Sequence, residues 1–122
     1  MEDLKTVFDI YSGQKSQDQV ASLEIVGSAT LYDGNNFYVL RLDERPFKNF
    51  FLVKKQDASG IYQIFARRWR TGDQVAFQGI VGTGHLSAEM KDVLELRFSF
   101  LKHSLFMSLF PRTNKGVVFD EN

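Results

Sequence analysis

The segment Phe65-Ala66-Arg67-Arg68-Trp69-Arg70 carries the most chemistry in the chain. In an extended strand, side chains two residues apart share a face. Tyr62, Ile64 and Ala66 then point one way, and Gln63, Phe65, Arg67 and Trp69 the other. A phenyl ring, a guanidinium and an indole stand in line. Nucleic-acid bases stack on such platforms at about 1–3 kcal/mol per base, while flanking cations hold the phosphates. Phe65, Arg67, Trp69 and Arg70 are therefore candidate nucleic-acid-binding residues, with Arg41, Lys54 and Lys55 extending the groove. The same residues also suit a purely structural role. Phe65 and Trp69 would then be core, and Arg67 a polar strand-end residue or an internal partner stacked on Trp69.

Other chemistry has little to work with. The two histidines, His85 and His103, lie in no nucleophile motif, and no Gly-x-Ser-x-Gly elbow occurs. His85 and Glu89 have the i,i+4 spacing of a helical zinc pair, but two further ligands are missing. The glycine-rich run 79–84 is not followed by Gly-Lys-Ser/Thr, so it suits bulged strand better than phosphate binding. Glu95, Asp43 and Glu44 read as solvated carboxylates. With no cysteine, thiolate metal sites and disulfides are excluded. The expectation is a non-enzyme with no catalytic residues, metal or cofactor.

The elements that must position these residues are short. Short segments of alternating or continuous apolar character recur at 6–11, 23–32, 37–42, 50–55, 61–70, 75–81, 93–101 and 105–110. Polar stretches separate these runs: 12–18, Asp33-Gly34-Asn35-Asn36 (the clearest hairpin turn), 43–49, 56–60, Thr71-Gly72-Asp73 and Lys102-His103. Gly27 suggests a bulge or bend, 82–84 reads as irregular, and 85–91 permits one helical turn. The fold class is all-β: a single-domain antiparallel β-barrel or two-layer sandwich of about eight strands. The domain is expected over 1–111, with 112–122 a loose tail.

A chain of 122 residues, 43% hydrophobic, is one ordinary domain. Twelve phenylalanines predict a Phe-rich core. Fifteen basic and fifteen acidic side chains cancel, so no overall field steers the chain to nucleic acid or membrane. The neutrality hides a basic middle: residues 41–70 hold eight basic groups against three acidic ones. That patch reads either as edge protection or as a binding face. No signal-peptide pattern and no apolar run of spanning length appears, so a soluble cytoplasmic protein is the expectation.

Thr71-Gly72-Asp73-Gln74-Val75-Ala76-Phe77-Gln78-Gly79-Ile80-Val81 resembles the Gly-Asp-x-Val-x-x-x-Gly strand of OB-fold proteins. In the single-stranded DNA-binding members, a similar strand follows an aromatic and basic segment. Arg67 to Arg70 holds that place here, and 93–100 matches a later strand. The resemblance spans about 30 residues and implies a β-barrel with a nucleic-acid-binding face. The chain has more strands than a five-stranded OB barrel, and the acidic tail of those proteins is reduced to Asp120-Glu121.

Two functional readings follow. One is a non-catalytic module for single-stranded nucleic acid. The other is a protein-interaction or structural module that oligomerises through an apolar sheet face or an edge strand. The second rests on Phe50-Phe51, and on Phe106 and Phe110 lying opposite Leu105, Met107 and Leu109. Both faces of those strands are apolar, so each must be covered. The exposure of Trp69 discriminates between the two.

Overall fold

Period-two alternation lets one face of every strand be apolar, and eight such strands close on themselves. A computed structural model describes residues 4–16, 19–57, 59–88 and 90–112. Its strands are β1 (Lys5–Ser16), β2 (Gln19–Tyr32), β3 (Phe37–Leu42), β4 (Asn49–Lys54), β5 (Ile61–Thr71), β6 (Gln74–Leu86), β7 (Val93–Phe98) and β8 (Leu105–Ser108). Each pairs antiparallel with the next, and β8 closes on β1 through Ile10↔Met107 and Tyr11↔Phe106. The result is a closed up-and-down barrel, not a sandwich. Its strands run in sequence order, whereas an OB barrel has five strands in a Greek-key path. No helix occurs among the described residues.

The interior is filled by side chains. Phe8, Ala29, Leu40 and Phe50 face one another rung by rung across β1 to β4. Met107 sits between Ile10 and Leu94 on the closing strands. Leu52, Ile64 and Leu96 complete the buried set. Each fully buried aliphatic contributes roughly 2 kcal/mol of transfer free energy. Phe50, Phe98 and Phe100, with centroids 5.2–5.5 Å apart, plug one end, and the Arg45 guanidinium lies 4.2 Å over Phe100. Gly82 lets β6 and β7 approach closely: a Cβ there would come 2.2 Å from the Arg97 carbonyl oxygen.

Several elements differ from the sequence expectation. Residues 12–16 continue β1 and 19–22 begin β2, so the expected loop is part of a long hairpin; residues 17 and 18 lie outside the described residues. Cross-strand hydrogen bonding holds this polar stretch extended, a stabilisation that hydrophobic alternation does not register. The 82–84 run is regular strand, because β5 and β7 pair with it on both sides. His85 and Leu86 belong to β6, paired with β7, and the described residues 87, 88 and 90–92 are non-helical, with residue 89 of the expected helical turn outside the described residues. The last two strands stop earlier than expected, at Phe98 and Ser108. Gly27 does border a register shift, between Ile10 and Tyr11. Arg112, at the start of the expected tail, is tied down: its backbone N–H donates to the Val7 carbonyl at 2.6 Å and its Nε to Asp9 Oδ1 at 2.7 Å. The rest of that tail, 113–122, lies outside the described residues.

Candidate nucleic-acid interface

The candidate residues sit on a two-stranded arm. In a meander barrel every second connection lies at the same end, so the β1–β2, β3–β4, β5–β6 and β7–β8 connections share one mouth. From that mouth β5 and β6 continue as an arm over 66–79, paired to the tip at Thr71↔Gln74. The tight Thr71-Gly72-Asp73-Gln74 turn fixes its register, giving Arg67↔Gln78, Arg68↔Phe77 and Trp69↔Ala76.

The arm does not run straight. A register shift falls between Ile64 and Phe65, and Gly79 has φ +77°, in the left-handed region. This elbow brings the Arg68–Phe77 rung back over the outer wall of the barrel. The Phe77 ring centroid lies 5.1 Å from Phe37, 6.0 Å from Phe51 and 5.7 Å from Phe65. The Arg68 guanidinium lies 5.4 Å from the Phe37 ring and 5.6 Å from the Phe51 ring. A second apolar cluster thus forms outside the barrel, in which Phe37 is only 4% exposed. It answers what covers Phe51, since Phe50 points inward and Phe51 outward: the cover is the chain's own arm.

The candidate residues are placed as follows. Phe65 is half-buried in this outer cluster. Arg67 is exposed, with its guanidinium across the elbow; a Cβ built on Gly79 would lie 3.2 Å from Arg67 Nη2. Trp69 is 45% exposed beyond it, and Arg70 is exposed beside the tip. Arg41 lies on the outer side near the mouth, where its Nε and Nη2 donate to Asn49 Oδ1 at 3.3 Å. Lys54 and Lys55 are exposed at the opposite end of the β3–β4 ladder. Arg41 and these lysines are thus separated by five residues of strand, roughly 17 Å, and do not form one groove. Lys54 follows Val53, the cross-strand partner of Phe37, so the arm's return over Phe37 brings it towards the lysines' end.

Sequence reasoning missed Arg68 and Phe77, which hold the arm, because strand parity set them on the face away from Phe65. The positive-φ glycine that changes their direction carries no local signal beyond its identity. Gln78 and Ile80, cross-strand neighbours of Arg67 and Phe65 and both exposed, were legible from the turn register alone.

Elsewhere, Glu95 is not solvated: it is 7% exposed and accepts a hydrogen bond from Ser104 Oγ at 2.7 Å. His85 Nε2 lies 3.6 Å and Arg97 Nε 3.5 Å from its carboxylate. Its outward-facing position is roofed by these neighbours, and the desolvated charge is offset by donors around it. Among the described residues no cluster of three or more His, Cys, Asp or Glu could hold a metal ion. Comparisons of the chain with known protein families, with curated proteins and with solved structures find no match.

Proposed function

We propose that this protein is a non-catalytic binding module whose β5–β6 arm takes single-stranded nucleic acid. The reading is supported above all by the exposure of Trp69, 45%, on a projecting arm flanked by Arg67 and Arg70. A large apolar ring left half in water at the edge of a packed barrel offers a stacking surface. Base stacking on the indole supplies affinity without sequence preference, and the two arginines neutralise phosphates. Three arginines against one aspartate over 66–79 give the arm a local positive field that the neutral whole lacks.

Trp69 is the only tryptophan, so its fluorescence reports one site. Titration with oligothymidine at low salt should quench it saturably. Two phosphate contacts on a single strand predict a log–log salt slope of about −1.4. Trp69→Ala should weaken binding by about tenfold or more, corresponding to the 1–3 kcal/mol of one stacked base. Unquenched fluorescence at low salt sinks this reading.

The second reading, a protein-interaction module, is favoured by Phe47, whose side chain is wholly exposed in the β3–β4 connection. The covering of Phe51 by the arm removes one of the grounds for oligomerisation through a sheet face. If Phe47→Ala disperses a self-associated species in sedimentation while Trp69→Ala leaves nucleic-acid binding untouched, the second reading replaces the first.

A further inference from the structure

The mouth of the barrel holds a cleft of about 440 Å³ that is separate from the arm's Trp69. One side comes from β2, the end of β3 and the start of the β3–β4 connection, and includes the acidic residues Glu24, Asp43 and Glu44. The other side is the β7–β8 connection, with Lys102 and His103. Between them the lining is apolar, including Leu42, Leu101 and Leu105. Unlike Glu95, which has drawn Ser104, His85 and Arg97 around itself, these five ionisable groups form no ion pair among the described residues. Opposite charges therefore face a common cleft without closing on each other.

We propose that this cleft binds a small zwitterion with an apolar side chain, of the α-amino-acid class. The ammonium group meets the Glu24, Asp43 and Glu44 side. The carboxylate meets Lys102 and the imidazole of His103. The side chain lies on Leu42, Leu101 and Leu105. Ligand sites of this kind combine an apolar lining with a few convergent polar groups, and barrel mouths are a common place for them. A ligand carrying both charges satisfies both sides at once. A simple anion leaves the carboxylate side unpaired, and a simple cation leaves the lysine unpaired. The site is independent of the nucleic-acid reading and stands or falls separately from it.

The test is an NMR titration of the ¹⁵N-labelled full chain with L-leucine, and in parallel with 3-methylbutylamine and 4-methylpentanoate, which each keep one charge and the branched chain. L-leucine should shift amides of 24–26, 42–44 and 101–105 saturably at millimolar concentration, with each half-ligand weaker by about tenfold or more. Lys102→Met should reduce L-leucine affinity to that of the amine while leaving the amine's own binding unchanged. The triple exchange Glu24→Gln, Asp43→Asn, Glu44→Gln should do the converse. These exchanges lie on exposed side chains, and the spectra themselves report the fold. Absence of shifts with L-leucine, shifts elsewhere, or equal affinity for the amine alone overturns the proposal.

Discussion

Arg67 and Arg68 are neighbours with opposite roles. Arg67 lies outward over the elbow, available to a ligand, while Arg68 is spent on the faces of Phe37 and Phe51. Parity explains the divergence, and Gly79 sets which side each one meets. Its φ of +77° is a conformation that L side chains occupy at a cost of roughly 1–2 kcal/mol. Gly79→Ala should therefore destabilise the protein by about that amount in urea denaturation. It should also displace the Arg67 guanidinium, 3.2 Å from the new methyl, and so weaken oligothymidine binding. Stability unchanged by this exchange would mean that the elbow is not strained for other residues. Phe65 and Trp69 were legible as an aromatic pair around Arg67, but the sequence left their surroundings open. One proved half-buried against Phe77, the other half in water.

As an element, the arm is a hairpin whose outer part lacks a barrel interior to pack against. Its pairing and tip were readable from the Thr71-Gly72-Asp73 turn between two alternating runs. Its folding back was not, because contact between Phe77 and Phe37 joins residues forty apart in sequence. The Arg68–Phe77 rung is its fastening. Arg68→Ala removes a guanidinium from two rings, a loss of about 1 kcal/mol for a partly exposed cation–π contact. Hydrogen exchange of the 67–78 amides should then quicken severalfold, while the amides of Leu40, Leu52 and Leu94 keep their protection. Arg67→Ala should leave exchange unchanged and weaken nucleic-acid binding instead. If the two variants behave alike, the division of labour between the arginines is wrong.

At the scale of the whole molecule, closure depends on close backbone approach. A Cβ on Gly82 would meet the Arg97 carbonyl oxygen at 2.2 Å, an atom that cannot yield without moving β7. A Cβ on Gly84 would come closest to the side-chain ends of Leu96 and Leu52, at 3.1 and 3.2 Å, with Tyr62 Cβ at an ordinary 3.5 Å. Gly82→Ala should cost about 3 kcal/mol and Gly84→Ala about 1 kcal/mol, read as shifts of the urea midpoint. The barrel also sets an alkaline limit. Burial, and then the neighbouring Tyr62, raise the Tyr38 hydroxyl above its ordinary value. Burial, followed by the Asp9 charge and hydrogen bond and opposed by Arg112, raises that of Tyr11. An unfolded tyrosine ionises near pH 10 while these two resist, so the unfolded state loses protons first. Their effect on stability is flat below about pH 10, and stability falls as pH climbs from there through the raised folded values. Tyr38→Phe should flatten that fall in denaturation followed on both sides of pH 10.

What the sequence determined by itself was local: strand alternation, hairpin turns, a Phe-rich core and the aromatic, basic segment at 65–70. Periodicity of two and turn chemistry act within a few residues, so they are written in short stretches. Barrel rather than sandwich was decided by the pairing of β8 with β1, because both architectures need the same alternation. The burial of Glu95, the covering of Phe51 and the open charges around the mouth were decided there too. Each depends on residues that meet only once the sheet has closed, and local patterning carries no record of such meetings.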